Sequence, residues 1–326
     1  MAHVNAYGAN GPRSITNCSP EELNSFDNLM LLCPTCHKMV DSNPETFTEE
    51  WLLKRKDLVE GSIAQYASTL AIAETIACTF FAPIAGTLPS ITTTEMNDAL
   101  LSSGLYYAGN KTFDLSKGIA GSVVYERAAD TITHRVRAFE ETVSDDKIPV
   151  SVFALGPQPL LIYLGSRLGS LRDVRTFQKS RILGGWQWPS SGSVTTFTTS
   201  ESQADVHAHE AAIVLSISGP ISKETMPSYL SHMPNFAVTI SDPDIEAVTS
   251  EETVRRFRKE VTSLIDRIHE KYPHVERVHI FPAMPASLAV TLGRALRFNL
   301  IPEYVIHEKT AGTFVESLTI RRPDEF

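Results

Sequence analysis

Two stretches of this chain, 128 residues apart, carry one pattern without a gap. Phe153-Ala-Leu-Gly-Pro157 leads to Leu160, Leu164-Gly165 and Leu168, and Phe281-Pro-Ala-Met-Pro285 leads to Leu288, Leu292-Gly293 and Leu296. In each copy an apolar strand ends in a proline-containing turn, a helix begins at once, and a glycine falls where that helix needs close packing. Each copy follows a helix (around 135–143 and 255–272) and returns to a strand (174–178 and 304–307). Further strands are expected over 150–155, 213–217, 236–240 and 275–281, and long helices over 130–143 and 251–272. This alternation predicts two fused copies of one α/β unit around parallel sheet. At 326 residues the chain also has room for a second, smaller module.

Fused α/β repeats set their strand-to-helix turns side by side at the carboxyl ends of the strands, where such sheets bind ligands. Helix N-termini there present unpaired N–H groups and a positive dipole end, which suit phosphate. A pocket with pseudo-two-fold symmetry matches a ligand with two phosphates. Between residues 167 and 181 lie Arg167, Arg172, Arg175, Lys179 and Arg181 against one acid, Asp173, and Trp186 and Trp188 follow. Cations for phosphate and aromatic planes for bases are what a nucleotide needs. A solvated basic face, with the tryptophans split between core and surface, is the plainer alternative.

The charge sum of −9 excludes a basic coat for nucleic acid, so phosphate must be met by local patches. Cys18, Cys33, Cys36 and Cys78 are too few for a disulfide scaffold and fit a reducing cytoplasm. The start shows no signal-peptide pattern. The apolar stretch 67–89 is interrupted by Glu74 and Pro83 and reads as a buried helix followed by a proline-bounded strand or linker, so no membrane partner is expected.

Residues 1–60 have a different texture, ending in a helix over 48–61 capped by Thr46 or Thr48, with Lys54, Arg55 and Lys56 on one exposed side. Before it runs Asn28-Leu-Met-Leu-Leu-Cys33-Pro-Thr-Cys36-His37, preceded by Ala2-His3 and Gly11-Pro12-Arg13. A Cys-x-x-Cys turn presents two thiolates to one zinc, and it also reads as a redox pair. The set resembles the cysteine-bearing branch of the HNH endonuclease family, whose pattern is Ala-His, then Asn-Leu-x-x-Leu-Cys-x-x-Cys-His. The resemblance implies a ββα-metal fold over about 2–59. His3 would be the general base, and Asn28 would hold the metal loop or ligate. His37 would stand near or on a catalytic divalent cation, Mg²⁺, with Asp41 as a helper, and Cys33 and Cys36 would hold structural zinc. Family members carry another Cys-x-x-Cys upstream of the Ala-His, which has no counterpart among these residues.

The repeat region, with Phe153 to Leu160, the run Phe177-Gln178 to Trp188, and Val278 to Arg294, looks like the SAVED domain, two fused CARF-like units that sense cyclic oligonucleotides. Gln158, Pro159, Lys179, Arg181, Trp186, Trp188, Met284 and Pro285 are the expected ligand-binding residues. The whole chain is then similar to the HNH–SAVED effectors of CBASS antiphage systems. The expected fold class is α+β, with a ββα-metal module over 1–60, a linker and start of the sensor over 61–120, and the α/β SAVED domain over 121–326. The likeness implies a cyclic dinucleotide activator, ligand-induced homo-oligomers and double-stranded DNA as substrate, in the cytoplasm. The rival reading is a sensor that oligomerises on its ligand without nuclease activity. Asp205, His207, His209 and Glu210 could line a metal site but read better as a solvent-facing strand edge. Arg255, Arg256, Arg258 and Lys259 are balanced by acids on their own helix, and Cys78 reads as core.

Overall fold

A computed structural model describes residues 2–8, 10–15, 18–69, 72–107, 112–117, 124–143, 147–169, 173–202 and 205–322. It divides into two compact units, Met1–Ile72 and Ala73–Phe326.

In the first unit, strand β1 (Ala2–His3) pairs antiparallel with β2 (Leu29–Met30), matching Ala2 to Met30 and His3 to Leu29. Between them lies a short helix, α1 (Pro20–Leu23), closed by a Ser19–Glu22 capping box. After β2 come α2 (Pro34–Ser42) and α3 (Glu49–Thr69). Ala2, Val4, Met30, Val40 and Leu52 form a small core. The Thr48 hydroxyl caps α3 by accepting from Trp51 N (3.2 Å). Two expectations are corrected here. The helix runs on to Thr69, because one glycine at 61 costs only about 1 kcal/mol in a stretch of good helix formers. Lys56 is buried rather than exposed with its neighbours: its ammonium donates to the Phe26 carbonyl and sits 4.1 Å from that ring's centroid.

The second unit holds the repeat. Its first copy has β3 (Ala73–Glu74), β4 (Ile76–Phe81), α4 (Thr93–Ser102), β5 (Leu105–Tyr106), β6 (Thr112–Asp114), α5 (Tyr125–Thr142), β7 (Val150–Leu155), α6 (Gln158–Leu168) and β8 (Val174–Phe177). The second has β9 (Thr198–Glu201), β10 (Glu210–Ser216), β11 (Asn235–Thr239), α7 (Glu251–Lys271), β12 (Arg277–Ala283), α8 (Ala286–Ala295), β13 (Glu303–Thr310) and β14 (Thr313–Arg321). Apart from the small β3–β5 pair, the first copy's strands lie in the order β6-β4-β7-β8, all parallel. The second repeats that order as β11-β10-β12-β13, again parallel, and closes both edges with antiparallel strands β9 and β14. Equal strand order, with a helix before (α5, α7) and after (α6, α8) the third strand of each copy, is what duplication of one unit produces.

The repeat glycines explain how the copies join. A Cβ at Gly165 would stand 2.0 Å from the Val290 carbonyl oxygen, and one at Gly293 would stand 1.9 Å from that of Ile162. Each contact is the other shifted by 128 residues, so α6 and α8 cross backbone to backbone about a pseudo-two-fold axis. Only glycine permits that approach. One continuous core then gathers residues from both sheets and from the apolar stripe of α7 (Val254, Phe257, Val261, Leu264, Ile268). Helix α5 begins five residues ahead of the expected start because Ala128 and Ala129 extend its buried face, and β12 is displaced two residues toward its C-terminus. Of the stretch 61–120 expected as linker and start of the sensor, residues 61–69, 72–107 and 112–117 are described, the last of them including β6. The stretch 67–89 holds the end of α3, then β4, then Pro83. Among the described residues no helix is long and apolar enough to cross a membrane.

Candidate functional site

Strands β7 and β12 end beside each other at the pseudo-two-fold axis, and a cleft of about 450 Å³ opens there. Its walls are Leu155, Gly156 and Gln158 from the first copy and Met284, Pro285 and Ala286 from the second. Loops after the paired first strands complete it, with Ile84 and Thr87 following β4 and Ser218 following β10. Proline caps both helices at the cleft, Pro157 on α6 and Pro285 on α8. Two glutamines cross the axis. Gln158 Nε2 donates to the Met284 carbonyl (2.6 Å), while Gln178 Oε1 accepts from the backbone N–H (3.1 Å) and hydroxyl (2.9 Å) of Ser287 at the start of α8. Gln158 Oε1 is enclosed without a hydrogen-bond partner among the described residues. A buried acceptor left this way attracts a donor, such as a base amine or a water.

The cleft's charge is mixed. Lys179 and Arg181 line it together with Glu246. The Arg181 backbone N–H donates to Glu246 Oε1 (2.7 Å), leaving its guanidinium exposed to solvent. Lys179 Nζ lies 3.8 Å from Glu95 Oε1 on α4. Of the expected residues, Gln158, Lys179, Arg181, Met284 and Pro285 meet here, and Pro159 is buried in the first turn of α6. The tryptophans do not line the cleft. Trp186 is fully buried, edge-on to Phe153 (5.4 Å), and Trp188 stacks on Phe177 at 6.2 Å. The Trp186 ring offers no face to a base; it is part of the core, the plainer reading of that pair. The basic run disperses too: Arg175 reaches Asp173 and Glu251 at 3.9 Å, Arg167 lies over the Tyr163 ring, and Arg172 is outside the described residues. Thr87, Ser218 and Glu246 were not anticipated, although the rule that ligands gather at strand carboxyl ends pointed to the loops that carry the first two.

In the first unit, His3, His37 and Asp41 line a cavity of about 120 Å³ with Ala6, Tyr7 and Pro12. His37 Nε2 is 3.1 Å from Asp41 Oδ2, one helical turn on, and His3 Nε2 is 3.2 Å from Asn24 Oδ1. Arg13, not anticipated as a site residue, fixes Asp41: Nη2 donates to Oδ1 (2.9 Å), and its other nitrogens bond the carbonyls of Val4, Val40 and Phe47. Asn28 is buried and pins the chain around it, accepting from Asn5 N (2.8 Å) and donating to the carbonyls of Asn5 and Leu23. Its amide is occupied in holding the loop. Cys33 caps α2, its sulfur accepting from Cys36 N (3.4 Å). That N–H and the neighbouring Cys36 thiol draw the Cys33 pKa down, whereas the hydrogen bond with Cys33 and its charge push Cys36 up. As a test of metal fit, His37 and Asp41 offer two hard donors side by side and Cys33 and Cys36 two thiols. Among the described residues, neither pair gains a third His, Cys or acidic ligand atom within 4.8 Å.

A duplicated α/β unit with a cleft at the carboxyl ends of its strands defines a ligand-binding class of fold. The chain belongs to the SAVED family: residues 132–320 match the model of the "SMODS-associated and fused to various effectors sensor domain". In fold it is similar to the Cap4 SAVED/CARF-domain containing receptor of Acinetobacter baumannii. The form with the cyclic trinucleotide 2'3'3'-cAAA aligns at TM-score 0.52 and 14% identity, over 92% of this chain and 64% of that one. The form with 3'3'3'-cAAA aligns at 0.51 and 13%, over 92% and 65%. This chain thus spans less than two thirds of those receptors. No curated protein matches it.

Proposed function

We propose that the second unit senses a cyclic oligonucleotide in the cleft on the repeat axis, and that the first is a metal-dependent DNA endonuclease which the ligand switches on in antiphage defence. One observation carries the sensor reading: equivalent turns of the two copies, each followed by a proline-capped helix, enclose one cleft, with Lys179 and Arg181 on its wall. The similar receptors hold cyclic trinucleotides. The two-fold arrangement of turns favours a cyclic dinucleotide for this chain. Arg181 and Lys179 would meet phosphate, and Gln158 Oε1 would accept from a base amine.

For the nuclease, the support is the order β1, β2, α2 with His3, His37 and Asp41 around one cavity. His3 would take the proton from water, Arg13 would keep Asp41 oriented, and Asn28 would hold the loop. His37 and Asp41 would hold a divalent cation such as Mg²⁺, which when bound neutralises charge growing on the phosphate. Cys33 and Cys36 would hold zinc with two donors from elsewhere. Neither donor pair gains a third ligand among the described residues, the observation behind a second reading, a sensor that assembles on its ligand without cutting. The test is plasmid DNA with Mg²⁺ and a panel of cyclic di- and trinucleotides. Cleavage that needs both a cyclic nucleotide and His3 supports the nuclease. Ligand-driven oligomers with intact plasmid leave the sensor alone, and cleavage indifferent to every cyclic nucleotide overturns the sensor's control of it.

A further inference from the structure

The second sheet has a face turned away from the main core, and two histidines are buried on it. His279 on β12 is 2% exposed and His307 on β13 is 0% exposed. They sit among Ala212, Val214, Phe281 and Phe314, with Phe281 stacked on the His307 ring at 4.2 Å. A register shift in the β13–β14 pair, Ile306 facing Leu318 and His307 facing Glu316, skips Ser317 as a bulge on β14 and sets Glu316 directly opposite His307. His279 Nδ1 is 3.0 Å from His307 Nε2. On its other side His279 Nε2 is 3.3 Å from Glu210 Oε2, and the second oxygen of that carboxylate takes Arg277 Nη1 at 3.0 Å.

We propose that His279, His307 and Glu316 form a binding site for a borderline divalent transition metal of the zinc class, with Glu210 as the carboxylate that orients His279. One ligand atom from each of the three lies within 4.8 Å of the others. Glu210 draws the Nε2 proton of His279 and leaves the Nδ1 lone pair facing the group, the carboxylate–histidine arrangement that supports metal-bound imidazoles. Nitrogens held at about 2.0–2.1 Å by one tetrahedral ion stand roughly 3.3 Å apart. The pair at 3.0 Å needs to open by only a few tenths of an ångström. Imidazole donors favour Zn²⁺, Co²⁺ or Ni²⁺ over Mg²⁺ or Ca²⁺. A plain hydrogen bond between neutral imidazoles accounts for the N···N contact but not for the rest. It does not account for a Glu316 ligand atom lying within 4.8 Å of both rings. Tyr229 donates to Glu316 Oε1 (2.8 Å), so an ion here would tie the 228–232 segment and edge strand β14 to the sheet centre.

The test uses the full chain with Cys33→Ser and Cys36→Ser, stripped with chelator and titrated with Co²⁺ and then Zn²⁺. Expected is one equivalent of Co²⁺ with a visible ligand-field band and no thiolate charge-transfer band, displaced by Zn²⁺. Glu316→Gln and Glu210→Gln, at exposed and half-buried positions, keep the far-UV circular dichroism and weaken binding at least about tenfold. His307→Gln abolishes it. No saturable binding overturns the proposal, as does binding equally tight in Glu316→Gln and Glu210→Gln. Binding lost in Asp41→Asn yet unchanged in Glu316→Gln places the ion in the first unit and overturns it as well.

Discussion

At the scale of single residues, chemistry depends on which neighbours a side chain keeps. Cys33 is exposed at the N-cap of α2 with its thiol pKa drawn down by the Cys36 N–H, while Cys36 is pushed up. Iodoacetamide near neutral pH should therefore alkylate Cys33 faster than Cys36, read by peptide mass spectrometry, and added zinc should protect both. Equal rates would remove the helix-cap account of this pair. In the cleft, Arg181 presents a guanidinium with no side-chain ion pair among the described residues, so Arg181→Ala should weaken cyclic-oligonucleotide binding about tenfold or more without altering thermal stability. Trp186→Phe tests the core assignment: it should lower the melting temperature with little effect on affinity, because its ring packs on Phe153 and Phe81 rather than on the cleft.

At the scale of elements, two glycines make opposite predictions. Gly165→Ala forces a methyl to 2.0 Å from a backbone oxygen on the facing helix, so α6 and α8 must separate and the second unit should lose about 1–3 kcal/mol in urea unfolding. Gly61→Ala, in α3 with nothing within 4 Å, should instead stabilise the first unit by about 0.5–1 kcal/mol. Helix α4 rests on a capping box in which the Thr92 N–H and hydroxyl hold the Glu95 carboxyl below its usual range. A lowered folded pKa makes that contribution full above the ordinary value of 4.5, and it fades as pH falls through the folded one. Legibility follows the same logic. The strand-turn-helix units of the repeat were readable because period, proline and glycine recur locally. Strand β4 was legible only as the strand-or-linker alternative before Pro83, because Ile76 to Phe81 is a short apolar run that suits a buried helix as well as a strand. Helix α4 carried a readable signal, Thr92 three residues before Glu95, that went unused. The His279–His307 contact joins residues on the neighbouring parallel strands β12 and β13, a pairing which no local pattern encodes. Lys179 and Arg181 were found by charge alone, but their neighbours Arg167 and Arg175 turn elsewhere, since adjacent positions on a strand or loop face different ways.

At the scale of the whole molecule, the net charge of −9 shapes function more than fold. Residues 1–60 hold five Lys and Arg against nine Asp and Glu, so a single first unit should hold DNA weakly, and more weakly still as salt rises. That suits an effector silent until a ligand gathers several copies, and an electrophoretic shift assay without cyclic nucleotide should show little retention. In the proposed reading the duplicated unit supplies the place where such a ligand acts, beside the backbone-to-backbone crossing of α6 and α8. The cleft on this axis is proposed to be the sensor, and calorimetric titration of the full chain with cyclic di- and trinucleotides tests it. Saturable binding of at least one of them is expected, weakened tenfold or more by Arg181→Ala or Lys179→Ala and unchanged by His3→Ala. Binding that ignores both cleft substitutions, or no binding across the panel, would contradict it.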